Sequence, residues 1–272
     1  MAKKTTAPVD PSLYDREYFL SHCEGYEEFL QGHMSNRLSK VLGFFSNTRN
    51  LDVLDVGCGR GELIQFLAGK GHACDGIDYS NDAIEIARKS AQQRLSEQEL
   101  KNCRFHLMDA KDMEFDDDTF DVSLMLDVVE HLHPWELDTV LKELKRVLKP
   151  RGCLIIHTVP NKWVIKPARL AMRVLGIPSE VERHVNEQSV FSLRRAVRPY
   201  FCGNVWIEKE KGFWSFWGKS SNRVPNRMIA RSLQALDFFL DNPVVSRLVA
   251  LPPFIFFLGT DIWGDLTARK LG

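Results

Sequence analysis

The clearest chemical signal in this sequence is a glycine-rich loop between an apolar run and a helical pattern. Residues 53–63 read VLDVGCGRGEL, which places Gly57, Gly59 and Gly61 at alternate positions. Glycine lets the backbone turn sharply and lets a ligand lie against it, and N–H groups at the helix start can donate to a carboxylate or phosphate. A dinucleotide-binding loop would carry its third glycine where Glu62 stands, and that carboxylate would repel a pyrophosphate. The loop therefore disfavours NAD and FAD and predicts a ligand with a positively charged end.

Acidic residues follow at the ends of the next predicted strands. Asp78 lies about 20 residues beyond the loop, where a carboxylate can accept hydrogen bonds from both hydroxyls of a ribose. Asp109 follows the third strand and can accept from an adenine amino group, and Asp127, Glu130 and His131 follow the fourth. Ligands of open parallel sheets bind at the carboxyl ends of the strands. These residues predict an adenosine-containing ligand with an unphosphorylated ribose.

Apolar runs that alternate with helical patterns must position these side chains. Strands are predicted at 51–56, 73–78, 104–108, 120–126 and 153–158, and helices at 62–70, 80–90 and 135–148. This alternation predicts a parallel sheet with helices on both faces. Less regular patterns predict a mostly helical segment at 13–48, helices at 166–175 and 187–200, and strands at 205–209 and 261–268.

Taken together, these motifs resemble the class I S-adenosylmethionine (SAM)-dependent methyltransferases of the small-molecule kind (types 11 and 23), which include quinone-biosynthesis enzymes. The matching pieces are VLDVGCGRGEL, GIDYS, MDA, FDVSLMLDVVEHL and VLKPRGCLIIHTVPN, within residues 51–161. The resemblance implies an α/β fold with a Rossmann-like, doubly wound, seven-stranded, mostly parallel sheet whose last strand is antiparallel. One departure is Arg151, where the family most often has glycine, and we expect only a local loop difference there.

The resemblance also implies which residues bind SAM. The methionine part would lie beside the glycine loop with Asp55 behind it, and its amino and carboxylate end would meet Leu126 and Asp127. The ribose would bind Asp78, and the adenine would lie between Tyr79 and the residues that follow the third strand. The full predicted cofactor-binding set is Asp55, Gly57, Cys58, Gly59, Gly61, Asp78, Tyr79, Asp109, Ala110, Leu126 and Asp127.

Histidines are the candidates for a general base, because imidazole titrates near neutral pH. Among His131, His133, His157 and His184, we select His131 and His184 as the candidate catalytic residues. The pattern formed by Asp127, Glu130 and His131 resembles the divalent-metal site of some quinone-precursor O-methyltransferases. The preferred alternative is that Glu130 and His131 cap the following helix and shape the SAM pocket, so no metal is predicted.

Composition places the chain among ordinary globular proteins and shows a charge asymmetry. The 272 residues have a formal net charge of zero, but residues 1–150 carry −9 and residues 151–272 carry +9. The basic back half can face an anionic substrate or a membrane surface, or the two halves can neutralise each other within one fold. Six scattered cysteines without a CxxC pair predict free thiols in a reducing compartment.

Targeting signals are not evident in the sequence. The N-terminal residues contain no apolar signal-peptide core, and the longest uncharged apolar stretch, 248–260, has about 13 residues where a membrane span needs about 20. We therefore expect a cytoplasmic protein, with peripheral contact at the inner membrane face as an open alternative.

The back half is rich in aromatic residues. The run 212–218 reads GFWSFWG, and it is followed by Phe238, Phe239 and the stretch 252–257, with Arg223, Arg227 and Arg231 nearby. These residues could form a lid over an apolar substrate, a homodimer contact, an in-plane membrane anchor or additional core. A cluster of Arg194, Arg195 and Arg198 fits either an anionic ligand or a solvated helix face.

The predicted organisation is a flexible tail at 1–12, a helical N-terminal cover at 13–50 and a methyltransferase domain at 51–272 with insertions at about 161–187 and 212–258. The predicted reaction is methyl transfer from SAM, with S-adenosylhomocysteine as product, to a small or lipid- or glycan-linked acceptor, at oxygen. The alternatives are a quinone or polyketide-type O- or C-methyltransferase and a SAM-binding scaffold or sensor. Nucleic acid is not an expected partner, because residues 126–129 read LDVV where adenine- and glutamine-type enzymes carry an Asn/Asp-Pro-Pro-aromatic motif.

Overall fold

The computed structural model describes residues 7–23, 25–159, 161–174, 184–209, 227–252, 255–256 and 260–268. Its strands are β1 Asp52–Val56, β2 Ala73–Asp78, β3 Cys103–Leu107, β4 Phe120–Leu126, β5 Leu148–Thr158, β6 Phe201–Glu208 and β7 Asp261–Ala268. Its α-helices are α1 Tyr26–Leu30, α2 Asn36–Leu42, α3 Glu62–Gly69, α4 Asn81–Arg94, α5 Glu97–Leu100, α6 Pro134–Val147, α7 Lys162–Val174, α8 Val190–Val197, α9 Arg227–Leu240 and α10 Pro243–Val249.

The strands form one seven-stranded sheet in the order β3-β2-β1-β4-β5-β7-β6. β1 to β5 run parallel, and β7 lies antiparallel between β5 and β6. The predicted fold class is confirmed. The strand order reverses between β1 and β4, and ligands of doubly wound sheets bind in the crevice at such a point. Every candidate that follows β1, β2, β3 or β4 therefore lies along one edge of the sheet.

The side chains of the central strand β1 alternate between the two faces of the sheet, and each face has its own apolar core. Leu54 and Val56 of β1 pack with Leu137, Val140 and other residues of α6 on one side. Val53 packs on the other side with Leu63, Ile64 and neighbours from α3 and α4. Successive strand side chains point to opposite faces, so a strand that is apolar at nearly every position needs helices on both sides.

Ser80 begins α4 as the sequence predicts. Its hydroxyl oxygen lies 3.3 Å from the Ala83 amide nitrogen, which is the N-cap contact, and its hydroxyl donates to the Tyr14 carbonyl at 2.7 Å. The Ser80 side chain therefore caps α4 after the turn that follows β2, and it also attaches the N-terminal segment to that turn. α4 continues to Arg94, beyond the predicted end near residue 90, and the short α5 was not predicted.

β5 begins five residues earlier than predicted. Leu148 pairs with Phe120, and the register then shifts between Phe120 and Val122. Within this stretch Arg151 has a φ of +71°, in the left-handed region that favours glycine. An L-residue there costs about 1–2 kcal/mol, which accounts for the glycine expected at this position.

The segment predicted as helical between 13 and 48 consists of short pieces. These are 3₁₀ or π segments at Pro11–Leu13, Tyr18–His22 and Gly43–Phe45, together with α1 and α2. Gly25 and Gly32 have φ values of +84° and +75°, and these turns separate the pieces. Within 7–50 the chain follows the surface of the sheet domain in short segments.

The back half contains more helix than the sequence indicated. α7 and α8 differ by a few residues from the predicted helices, and β6 starts at Phe201 where the prediction began at 205. α9 and α10 lie within the predicted insertion at 212–258, while its aromatic run at 212–218 and Arg223 lie outside the described residues. Among the helices described, none is both long and apolar enough to pass through a membrane.

Candidate functional site

The glycine loop is closed tightly against the ends of β2 and β4. Gly57 has a φ of +72°, and a Cβ at this position would lie 2.4 Å from Cγ2 of Val128. The amides of Gly57 and Cys58 both donate to the Ile77 carbonyl, at 2.9 and 3.0 Å. Gly59 also has a positive φ, and a Cβ there would lie 3.6 Å from the Phe19 ring. A side chain at Gly57 would displace Val128, whereas a Cβ at Gly59 would only contact Phe19, so at Gly59 the positive φ is what favours glycine.

Asp78 joins the end of β2 to this loop. Its Oδ2 accepts from the Gly59 amide at 3.1 Å, and its Oδ1 accepts from the Ser80 amide at 2.9 Å. Burial raises the pKa of Asp78 to about 6, although hydrogen bonds from Ser80, Gly59 and Tyr79 oppose this shift. A carboxylate oxygen has room for a second donor, so Asp78 can still accept two hydroxyl groups.

Asp55 lies behind the loop, where it is buried beside two other acids. Burial raises the pKa of Asp55 to about 8, and the negative charges of Asp78 and Glu62 act in the same direction. Burial likewise raises the pKa of the Cys58 thiol well above its usual value. Near neutral pH both groups therefore carry their protons, and Asp55 can act as a hydrogen-bond donor.

Glu62 is not the isolated charge that the sequence suggested. The guanidinium of Arg60 binds its Oε1 from Nε at 3.0 Å and from Nη2 at 2.8 Å. The repulsion expected between Glu62 and a pyrophosphate is therefore largely cancelled within the loop. The case against a dinucleotide must come from the shape of the site and from its other acids.

The N-terminal segment lies over the same edge of the sheet. Tyr14 and Phe19 are buried and pack on Ala83 and Ile86 of α4. Arg60 donates to the Phe19 carbonyl at 2.6 Å, in addition to the contact between Ser80 and Tyr14. No spacing in the sequence identified Tyr14 or Arg60 as site residues, because the Tyr14–Ser80 and Arg60–Phe19 contacts join segments that lie far apart along the chain.

The residues expected around an adenine are more exposed. Tyr79 lies 5.6 Å from Tyr14 between ring centroids, so the two rings border one side of the crevice. Asp109 follows β3, and its carboxylate accepts from the Lys111 amide at 2.9 Å and pairs with the Lys111 ammonium at 3.0 Å. Ala110 is half-buried beside it. Asp109 is therefore already neutralised in part by its neighbour.

β4 ends at Leu126, and the next residue turns sharply. Asp127 has a φ of +56°, and its amide donates to the His157 carbonyl at 3.1 Å. Its Oδ1 lies 2.6 Å from Nδ1 of His157. His157, one of the four histidines considered as a general base and not among the two selected, is fully buried.

The two histidines selected from the sequence meet in the structure. The rings of His131 and His184 lie 4.9 Å apart and nearly perpendicular, and Nδ1 of His131 lies 2.8 Å from the Tyr14 hydroxyl. The amide of Val185 donates to the Glu130 carbonyl at 2.8 Å, which fixes the loop that carries His184. These contacts put both imidazoles beside the end of β4.

Glu130 completes this group. Its carboxylate is buried and accepts from the Thr158 hydroxyl at 2.7 Å, and burial followed by the charge of Asp127 raises its pKa. Glu130, His131 and His184 each bring one ligand atom within 4.8 Å of the others, an arrangement that could hold a metal ion. The sequence pattern included Asp127 in such a site, whereas the structure pairs Asp127 with His157 and brings His184 into the group.

Comparisons with known proteins agree with this geometry. A family model described as "Methyltransferase domain" matches residues 53–152. The chain is 32% identical over 111 residues to the sterol 4-C-methyltransferase strm-1 of Caenorhabditis elegans, covering 40% of this chain and 31% of that protein. It is also 32% identical over 111 residues to a ubiquinone biosynthesis O-methyltransferase of Pelagibacter ubique, covering 41% and 43% respectively.

A solved structure shares the fold over most of the chain. The Haemonchus contortus Phospholethanolamine N-methyltransferase 2, in complex with phosphomonomethylethanolamine and S-adenosylhomocysteine, superimposes with a TM-score of 0.59 at 14% identity. The superposition covers 94% of this chain and 60% of that one. The chain spans less than half the length of the two curated relatives that it matches.

Proposed function

Starting from the premise that residues 53–152 are a class I SAM-dependent methyltransferase domain, we propose that the protein transfers the methyl group of SAM to a small or lipid- or glycan-linked acceptor, at oxygen. The observation that carries this proposal is the link between Asp78 and the glycine loop, where Asp78 accepts from the Gly59 amide. A buried carboxylate that still has acceptor capacity, next to a glycine-rich loop, fits an adenosine with a free ribose.

The residues fit SAM in three further respects. Gly57 and Gly59 present no side chain and pack against Val128 and Phe19, so a ligand can approach the loop backbone directly. Asp78 would hold the ribose, and Tyr79, Asp109 and Ala110 would border the adenine. Leu126 and Asp127 would meet the amino and carboxylate end, with Asp55, Cys58 and Gly61 supporting the loop from behind.

Catalysis in this site depends mainly on alignment. Bound SAM supplies a methyl carbon that is already attached to a good leaving group. The protein must therefore hold the acceptor in line with that carbon and, for an oxygen acceptor, remove its proton. The Asp78 carboxylate, which is mostly ionised above its pKa of about 6, favours a cationic ligand over a neutral one at this edge.

We assign proton removal to the imidazole pair of His131 and His184. With Nδ1–H of His131 donating to the Tyr14 hydroxyl, its Nε2 has the lone pair that takes the acceptor proton. His131→Ala and His184→Ala should each be assayed for turnover and for SAM affinity. Slower turnover at unchanged SAM affinity supports the assignment, and unchanged turnover in both variants excludes it. His33→Ala, which removes an exposed imidazole outside this group, is the matched control.

The same group supports a second assignment, a divalent metal ion on Glu130, His131 and His184. Two imidazoles and one carboxylate form a ligand set that suits zinc and related ions. Turnover after treatment with EDTA separates the two assignments. Loss of turnover that added divalent ions restore supports the metal, and unchanged turnover supports the base alone.

The helix pair α9–α10, residues 227–249, supports a lipid-linked acceptor. Phe238 and Phe239 are 84% and 60% exposed, and Leu248 nearby is also exposed. The pair carries exposed basic residues at Arg231 and Arg247, whereas its acids are buried, as at Asp237, or paired, as Asp241 is with Lys209. Apolar and basic side chains without an exposed acid are typical of helices that lie in a membrane interface. We accordingly propose a cytoplasmic location with peripheral contact at the inner membrane face.

Formation of S-adenosylhomocysteine with a panel of acceptors tests the proposal. The panel should contain polyprenylated phenols, polyprenyl-linked sugars, a sterol and a short nucleic acid. Product with a polyprenyl-linked sugar or a sterol supports the proposal, and product with a polyprenylated phenol alone supports the quinone-type alternative. SAM binding without product from any acceptor supports a scaffold or sensor. Product with nucleic acid alone overturns the proposal of a small or lipid- or glycan-linked acceptor. Separately, sedimentation of the protein shows whether a homodimer forms.

A further inference from the structure

A buried ion triad lies directly beneath Asp127. His157, near the end of β5, has its Nδ1 2.6 Å from Oδ1 of Asp127 and its Nε2 3.7 Å from Oδ2 of Asp261. The first distance is a hydrogen bond, and the second is an ion-pair distance. Asp261 is the first residue of β7, so the triad joins three strands of the sheet.

The charge balance of this triad is unusual for a protein core. Asp261 is 1% exposed, and neither of its carboxylate oxygens has a hydrogen-bond partner among the described residues. A buried carboxylate in that position needs a cation nearby, and the imidazole of His157 is the group that faces it. Burial opposes the charging of His157, but the charge and hydrogen bond of Asp127, followed by the nearby carboxylate of Asp261, raise its pKa to about 9.

The charged imidazole of His157 therefore lies between the carboxyl groups of Asp127 and Asp261. Only Asp127 is accessible to a ligand, because its side chain remains 21% exposed while the other two are buried. The accessible end of the triad lies at the carboxyl end of β4, beside Val128 and the glycine loop. An ammonium group at that point would complete the charge balance.

His157 also holds the backbone of Asp127. The Asp127 amide donates to the His157 carbonyl at 3.1 Å while Asp127 adopts a φ of +56°. Non-glycine residues in this region are strained, and such strain persists where the surrounding contacts determine it. The backbone and side-chain contacts of one residue therefore fix where the Asp127 carboxylate lies.

We propose that His157 and Asp261 are positioning residues, which hold the Asp127 carboxylate where it receives the ammonium group of the cofactor's aminocarboxylate end. This inference rests on the proposed function, since it assigns the anchors of the same SAM site. Neither residue touches the cofactor. Asp261 acts through His157, and His157 acts through Asp127.

The competing account is that the ring of His157 only fills the core. Its ring lies 4.3 Å from that of Trp263, which is ordinary core packing. The two accounts differ in which part of the ligand they affect. Loss of packing would disturb the whole site, whereas loss of positioning would affect only the aminocarboxylate end.

Calorimetry with two ligands distinguishes these accounts. S-adenosylhomocysteine carries the aminocarboxylate, and 5′-methylthioadenosine lacks it. His157→Gln removes the donor at the Nδ1 position, and we expect it to weaken S-adenosylhomocysteine binding about tenfold or more while methylthioadenosine binding stays unchanged. His157→Asn places an amide donor near the Nδ1 position, and we expect it to restore most of the lost affinity.

Asp261→Asn is the second variant, and it also serves if His157→Gln does not fold. It should weaken S-adenosylhomocysteine binding and leave methylthioadenosine binding unchanged. Parallel weakening of both ligands in a folded variant, or an unchanged affinity for S-adenosylhomocysteine, would overturn the inference. A wild-type protein that binds neither ligand would instead overturn the proposed function, so the two failures are distinguishable.

Discussion

The carboxyl edge of the sheet and the helix pair α9–α10 depart in opposite ways from the usual distribution of charged and apolar side chains. At the edge, charged side chains are buried and tied to specific partners, as Asp78 is to Gly59 and Asp127 is to His157. On the helix pair, large apolar side chains such as Phe238 remain exposed. Folding by itself favours burial of apolar surface and exposure of charge. Each region therefore lowers the stability of the fold, and binding of a ligand or a lipid surface there can offset that loss.

This contrast separates two kinds of recognition. The edge offers fixed hydrogen-bond acceptors and negative charge, which suit a polar, cationic cofactor. The helix pair offers apolar surface with basic side chains, which suits a lipid environment. If the contrast is correct, changes at the edge should have large effects on stability or cofactor affinity, and changes on the helix pair should have small effects on both.

The largest effect is expected at Gly57. Gly57→Ala should lower the free energy of unfolding by about 2–5 kcal/mol. The left-handed backbone conformation costs an alanine about 1–2 kcal/mol, and the clash of its Cβ with Val128 costs about 1–3 kcal/mol more. Chemical denaturation without ligand measures this change. Gly32→Ala is the matched control, since Gly32 has a φ of +75° and a Cβ there would have nothing within 4 Å. Equal losses in both variants would show that Val128 does not confine the loop.

Asp78 should have the next largest effect, on cofactor affinity. Asp78→Ala removes both acceptors for the ribose hydroxyls, and we expect a loss of about 2–4 kcal/mol in binding of S-adenosylhomocysteine. Calorimetry gives the value directly. Asp116→Ala, which removes an exposed carboxylate from the same acidic half, is the control and should bind as the wild type does. An unchanged affinity for Asp78→Ala would refute the ribose assignment.

The edge should also show a pH dependence that the helix pair lacks. The pKa of Asp78 is raised from 3.8 to about 6, so the folded protein takes up a proton in this range and its free energy of unfolding falls as pH rises from about 4 to 6. Cofactor affinity should change with the opposite sign. The ionised carboxylate is the better acceptor, so affinity should rise about tenfold between pH 5 and 7. Asp78→Asn should remove this component, and an identical profile in that variant would assign the titration to another group.

The sequence predicts those parts of this contrast whose residues lie within one short stretch of the chain. β2, β4 and β7 have the same bounds as the predicted strands, because a buried strand is a continuous pattern. Asp78 and the glycine loop are identified by their spacing within one strand–helix–strand unit. The antiparallel placement of β7 came only from the family resemblance, since a single strand pattern does not specify its direction.

Contacts between distant segments could not be predicted in this way. The meeting of His131 with His184 and of His157 with Asp261 depends on how β5, β7 and the loop before α8 pack together. The partnership of Arg60 with Glu62 is local, but its effect on the charge of the loop depends on burial. Residues that act through tertiary contacts carry no period or fixed spacing in the sequence.

The smallest effect on stability is expected at Phe238, and it separates the two regions most directly. Phe238→Ser should change the free energy of unfolding by no more than about 0.5 kcal/mol, because an exposed ring loses little packing when it is removed. The same variant should bind less to vesicles that contain anionic lipid, as measured by flotation. Phe66→Ser, which changes a partly exposed phenylalanine on α3 of the acidic half, is the control and should leave vesicle binding unchanged. A wild-type protein that stays wholly in the soluble fraction, or equal losses in both variants, would show that the exposed surface of α9–α10 serves something other than a membrane.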